Sequence, residues 1–326
     1  MRNRNSFIGL VTTLVAVSTT AQPLPRDYPN KPIRVVVPSP AGGPPDLVMR
    51  MLLPHYSAQL GQPLVLDNRA GAGGVVGSAT VAKAAPDGYT WLSTTASHTN
   101  TPPFNKNVPF DPVKDFSHVT LLAQNFGQAV VVPLNSPAKN VQDLIALAKK
   151  RPGEVSFGTT GIGSVGHLIG QLFSQRAQIK LHHVPYKGAS PAIIDLAAGR
   201  INLVSAALAA QISFVRDGKI KGIATTGLRR ARLTPNVPTL DESGFKGFDV
   251  TAWHGVLLPA KVDAGIVAKL NREVTRIIAL PDVQEVLLQE GGEIVPTTPE
   301  KFATVIRDEY AKWQKVVKIA GVTPDT

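Results

Sequence analysis

The sequence predicts a two-domain α/β protein, each domain a mainly parallel sheet flanked by helices, and three observations predict it. The order strand, helix, strand, helix, strand occurs twice, each time with a Gly-rich loop after the first strand. An apolar stretch between the two copies can carry the chain across, and a strand-like stretch near residue 250 can carry it back. Two crossings of this kind make a hinge. The first domain is read as 22–124 plus 252–326 and the second as 125–251. With 326 residues, 43% hydrophobic and 17% charged, the chain can fill two cores and is too apolar for disorder.

The elements follow in order. Residues 1–21 carry Arg2 and Arg4, an uncharged run from Phe7 to Val17 and the small residues Thr19-Thr20-Ala21, which read as a secretory signal cleaved near Ala21. That run is 11 residues long, well short of the roughly 20 that span a bilayer, so the mature protein is expected in the periplasm and not across a membrane. Ile33–Val37 is a β-branched run of strand length, and Gly42 and Gly43 allow close backbone approach. Pro45 and Asp46 suit the first turn of a helix running to Gln59. A strand over Pro63–Asp67 leads to a second Gly-rich loop, Gly71–Gly77, then a helix through Val81 and Lys83. The turn Pro86-Asp87-Gly88 precedes a strand at Tyr89–Ser93.

Asn107–Asp115 is a polar connection, and Val119–Val132 is expected to be a crossing strand. The second copy has strands at Val155–Gly158, Lys180–Val184 and Ile201–Ser205, with helices at His167–Gln175 and Pro191–Ala198, the latter stopped by Gly199. Phe248–Pro259 carries the chain back. Helices follow at Asp263–Ile278 and Asp282–Gln289. A last helix is capped by Thr298, with Pro299 at its first position, and runs to Ile319 before Gly321. These closing helices are expected to pack on the first domain.

Composition excludes several chemistries. The absence of cysteine removes disulfides, thiolate nucleophiles and Cys-ligated metals. Without Arg2 and Arg4 the formal net charge of +11 falls to +9, a surface that attracts acidic small molecules. Low aromatic content, at 6%, scattered basic residues and the export signal argue against nucleic acid; Lys149-Lys150-Arg151 and Arg229-Arg230 read as solvated ends. His182 and His183 are adjacent in a strand and face opposite ways, and His55, His98, His118 and His254 lack ligand spacing, so no metal is expected.

Residues 161–166, GIGSVG, match a dinucleotide-binding fingerprint, but no acidic residue from Val155 to Ile194 is available to hold a ribose, so no cofactor is expected. Ser164 with His167 suggests a hydrolase, yet nothing supplies an orienting acid, and Ser164 reads better as a helix cap.

Ligands of open parallel sheets bind beyond the carboxyl ends of the strands, which is where both loops after a first strand lie. If the domains face each other, these loops line one cleft, an anion seat of backbone amides and hydroxyls at helix starts. The candidate residues are Ser39, Ala41, Gly42, Gly43 and Asp46 on the first loop and Thr160, Gly163, Ser164 and His167 on the second. Ser97 and His98, after the third strand of the first domain, and Ser205, after its counterpart in the second, complete the set. Pro44 and Pro45 lack N–H groups, which leaves Ala41, Gly42 and Gly43 as the expected donors of the first loop.

The chain also resembles the Bug family of substrate-binding proteins of tripartite tricarboxylate transporters. The resemblance rests on YPNKPIRVVVP (Tyr28–Pro38), AGG with Asp46, LDNRAGAGGVVG (Leu66–Gly77), AAPDGYT (Ala84–Thr90) and VPFDPVKDF (Val108–Phe116). It continues through GTTGIGSVGHL (Gly158–Leu168), HVPYKG (His183–Gly188), VPTLDESG (Val237–Gly244) and KWQKVVKIAG (Lys312–Gly321). It implies a two-lobed periplasmic-binding fold of type II that closes on a small organic anion, its carboxylate held by Ala41–Gly43 and Thr160–His167. It further implies delivery to a membrane permease of one large and one small subunit; presentation to a sensor receptor is the alternative partner, and a secreted Ser/His hydrolase the alternative class. The chain departs from the family pattern at Ser39, where relatives usually carry an aromatic, at Pro44-Pro45, and at SAALAAQ after Val204, where relatives often place Asp or Asn.

Overall fold

β-branched runs and Gly/Pro punctuation divide the chain into two sheets whose strands point at a common seam. The computed structural model describes residues 28–320 except 43, 126, 162–163, 187 and 290–291; the signal segment, Gly43, Gly163 and Gly321 lie outside the described residues. The chain opens with β1 (Ile33–Val37), α1 (Pro44–Leu60), β2 (Leu64–Asn68), α2 (Val75–Ala82), β3 (Thr90–Thr95), the short α3 (Ser97–Asn100) and β4 (Phe116–Asn125). It continues through β5 (Gln128–Pro133), α4 (Val141–Lys150), β6 (Ser156–Thr159), α5 (Val165–Ala177), β7 (His182–Pro185), α6 (Ala189–Ala197), β8 (Leu203–Ala207), α7 (Leu208–Arg216) and β9 (Ile220–Thr225). It closes with β10 (Trp253–Pro259), α8 (Ala264–Ile278), α9 (Pro281–Gln289), β11 (Gly292–Ile294) and α10 (Pro299–Ala320).

The first sheet has the order β11-β4-β10-β3-β1-β2 and the second β7-β6-β8-β5-β9. Both are mixed. β1 pairs in parallel with β2 and β3, and β6 with β7 and β8, whereas β10, β11 and β5 pair antiparallel because the chain enters them from the seam. Alternation along the strands feeds a core on each face: Val35 and Val37 pack with Trp91 and Leu270 on one side, Val36 with Leu92 and Phe302 on the other. In the second lobe Phe157 and Val130 face one cluster, and Val131 and Val204 the opposite one.

Two expectations need correction. Val119–Val132 is not one crossing strand but two, β4 and β5, in different sheets and broken at Gly127, whose φ is 86°. A Cβ there would lie 2.3 Å from Thr226 Oγ1, so only glycine lets the first crossing pass the second. The crossings are tied to each other: Gln128 N donates to Thr226 Oγ1 at 2.8 Å, and Val250 N to Thr226 O at 2.8 Å. The last helix also departs from the expectation. Its first half, with Phe302 and Ile306, packs on the first lobe, but Trp313 and Val316 are built into the core of the second. At 22 residues the helix is about 33 Å long, which lets it reach across.

Candidate functional site

Strand register fixes where the two loops point. The carboxyl end of β3 is at the seam, because Thr95 pairs with His254 beside the start of β10. In the second lobe Ala207, at the carboxyl end of β8, pairs with Gln128, the first residue of β5 after the crossing. Since β1 runs parallel to β3 and β6 to β8, the loops after β1 and β6 both open toward the space between the lobes.

The first jaw is braced from beneath. The Asp46 carboxylate is sealed from solvent and accepts from Gly42 N at 2.8 Å, Arg50 Nε at 2.8 Å and Asn68 Nδ2 at 3.0 Å. Burial works against its charge, but these bonds outweigh it and hold the carboxyl below its ordinary value. The shielding comes from its own partners and not from depth: Arg50 itself is half exposed. Asn68 also donates to Ser39 O at 3.2 Å, so one amide side chain ties β2 to both ends of the turn. The second Gly-rich loop lies against this one. A Cβ on Gly77 would meet Pro38 at 2.7 Å, and one on Gly74 would meet Ser97 Oγ at 3.3 Å.

Three of the expected residues are engaged within the fold. Asp46 accepts its three bonds from the loop, from α1 and from β2, which brace the turn. The Gly42 amide is the donor it holds, and Ala41 is exposed on the same turn. His98 is buried in the core, its Nε2 3.0 Å from Pro112 O and its ring stacked on Phe110 and edge-on to Phe116. The reason is local: residues 97–100 coil into α3, which turns Ser97 toward Thr95 Oγ1, at 3.2 Å, and rotates His98 the other way.

The second jaw gathers Ser164, His167 and Ser205 around the first turn of α5. Ser164 is the N-cap, its Oγ accepting from His167 N at 3.3 Å. The His167 ring stacks on His183 with centroids 4.1 Å apart and planes 12° from parallel. Burial, reinforced by the neighbouring His167 and His182, pushes His183 down to about 4. Its Nε2 lies 2.7 Å from Thr159 Oγ1, which also receives Gly161 N at 3.2 Å. Beneath the turn, Gly166 rides on β8: a Cβ there would be 2.2 Å from Ser205 O. The Ser205 hydroxyl and Gln128 Oε1 are sealed from solvent without a hydrogen-bond partner, both on strands that meet under α5. Thr160 is exposed on the loop, and Ser39 is half-buried on the opposite one.

Asn68, Arg50 and Thr159 are structural partners of the jaws that the sequence reading did not single out, and His183, weighed there only as a metal ligand, is another. Asn68 lies inside the motif LDNRAGAGGVVG and Arg50 four residues after Asp46, a helical spacing that pairs opposite charges. Among the described residues, no cluster of metal-ligating side chains occurs and no helix is long and apolar enough to cross a membrane.

Comparison with known proteins gives a consistent picture. Residues 48–322 match the family model described as tripartite tricarboxylate transporter family receptor. Protein BugT of Bordetella pertussis is 32% identical over 325 residues, covering 98% of either chain. Among solved structures, an R. palustris protein with adipate superposes with a TM-score of 0.76 at 32% identity, covering 92% of this chain and 100% of that one. A second, MatC from Rhodopseudomonas palustris with bound malate, gives 0.72 at 29% identity, covering 89% and 100%.

Proposed function

The chain belongs to the tripartite tricarboxylate transporter receptor family, whose members bind substrates and are not enzymes, and on that premise we propose that it captures a small organic carboxylate between its lobes in the periplasm and delivers it to a membrane permease of one large and one small subunit. The observation that carries this reading is the pair of loops opening toward each other from the carboxyl ends of β1 and β6, each at the start of a helix. The carboxylate is held by Ala41 and Gly43 on the first jaw and by Thr160, Gly163, Ser164 and His167 on the second, with Ser39, Ser97 and Ser205 lining the seat. Gly42 and Asp46 hold the first loop in shape. Relatives that carry adipate and malate support a dicarboxylate as the starting point for screening.

Native mass spectrometry for a co-purified solute, followed by thermal-shift screening of malate, adipate, tricarboxylates, acidic amino acids and aromatic acids, tests the reading. An acid present at 100 times its dissociation constant stabilises the fold by about 2.7 kcal/mol. Stabilisation by neutral sugars or cations alone would remove the carboxylate assignment.

A further inference from the structure

One turn of α10 touches both jaws and the hinge. Glu309 is buried, and its Oε2 accepts from Thr99 Oγ1 at 2.8 Å and from the Trp253 indole N–H. Thr99 belongs to α3, the turn that presents Ser97 to the first jaw, and Trp253 opens β10, where the second crossing enters the first lobe. One turn further on, Lys312 Nζ donates to Asp249 O in that crossing at 2.8 Å and lies 3.6 Å from Glu309 Oε1. The next residue, Trp313, is 2% exposed and sits in the second lobe's core with Phe173 of α5, the helix that carries the second jaw.

We propose that α10 is a strap across the hinge that sets the resting opening of the cleft, and that Glu309 is the positioning residue pinning it to the first jaw. The two chain crossings are tied to each other at Gly127, Thr226 and Val250, and the second touches the jaw elements at single points, where Ala96 N donates to Trp253 O at 3.1 Å and Arg176 Nη2 on α5 donates to Lys246 O at 2.7 Å. A rotation of the second lobe carries Trp313 with it, because the ring is enclosed there. The first lobe holds the same helix through Phe302, Ile306 and the Glu309 bonds. Opening therefore bends α10 or pulls on Glu309 and Lys312. A cavity of about 270 Å³, lined by Gln124, Asp249, Thr251, Glu309 and Lys312, leaves the helix room to shift at this point. A rigid element fixed in both lobes, with slack only at its middle, limits the range of motion without abolishing it.

The test needs no ligand, so it stands whether or not the cleft takes an acid. The sequence has no cysteine, so Lys149→Cys on α4 and Arg272→Cys on α8, both exposed and in different lobes, accept spin labels without background. Pulsed electron double resonance on the mature protein reads the distance between them. Glu309→Ala and Trp313→Ala are each expected to broaden the distribution roughly two-fold and lengthen its mean. Glu309→Gln, which keeps an acceptor for Thr99 and Trp253, is expected to restore the narrow distribution. If an alanine variant fails to fold, Lys312→Met, which removes the bond to the Asp249 carbonyl and the ion pair with Glu309, takes its place with the same expected broadening. Folded variants with the wild-type distribution, or a Glu309→Gln protein as broad as Glu309→Ala, would overturn the proposal.

Discussion

Replacing Asp46 by alanine removes the acceptor that three donors share, and the structure sets the size of the effect. Gly42 N and Asn68 Nδ2 each lose a bond to a charged, solvent-sealed oxygen. Such bonds contribute about 1.5–3 kcal/mol when the donor is left buried; here both donors lie near the surface and regain water, so about 1 kcal/mol each is expected. Arg50 is half exposed, returns to solvent and adds little. The total is about 2 kcal/mol, read as a lower urea midpoint at unchanged slope. Asp46→Asn, which keeps one oxygen, loses about half as much. Amide exchange at Ala41 and Gly42 accelerates in the alanine variant, since the turn loses the side chain that closes it. A midpoint shift worth less than about 0.5 kcal/mol, with exchange at both amides unchanged, would refute the bracing role.

Three further outcomes are expected. Burial holds His98, His118, His183 and His254 at about 4 in the folded state, below the ordinary 6.5. Their contribution is present above 6.5 and is lost as pH falls toward 4, while Glu309 and Asp249, raised by burial, act in the opposite sense. His98→Gln isolates one histidine: across that window its stability curve is flatter than wild type by up to about 1.4 kcal/mol per pH unit, and an unchanged slope would contradict the assignment. Gly166→Ala forces α5 off β8, because the added methyl meets a backbone oxygen at 2.2 Å, and a loss of about 2 kcal/mol is expected by urea titration. Ser164→Ala costs about 1 kcal/mol as a lost cap. Ser164→Asp keeps the cap and the melting temperature but places a charge in the seat, and it loses the thermal shift given by any acid that stabilises wild type.

The main elements were legible because their signals are local. Ile33–Val37 is the observed β1, residue for residue, and the Thr298 hydroxyl receives Lys301 N as an N-cap should. What was not legible depends on partners far away in the chain. Asp46 at a helix start looks the same whether its carboxylate faces a ligand or the loop behind it; the choice is made by Asn68, which β1–β2 pairing brings under the turn. His98 is separated from Ser97 by a single residue step, and only the coiling of 97–100 decides which of them turns into the core. The short β11 and the strand break at Gly127 have no periodic pattern of their own, since the first is defined by pairing with β4 and the second by the approach of Thr226.

The two jaws solve one electrostatic problem in different ways. On the first, Arg50 and Arg69 lie near the loop but are tied to Asp46 and Asp67, so the attraction left for an anion comes from oriented amides held by those pairs. On the second, no carboxylate occurs between Val155 and Ile194, and the stacked His167 and His183 sit in a setting that disfavours their charged forms. On the proposed reading, a carboxylate meets these rings beside the start of α5. Neither jaw offers an unpaired cation among its described residues, so the attraction falls off over a short range and is strongest when the lobes exclude water. If the proposed capture holds, closure and binding are one event, and a strap that limits opening also limits how much of that attraction is forfeited between captures.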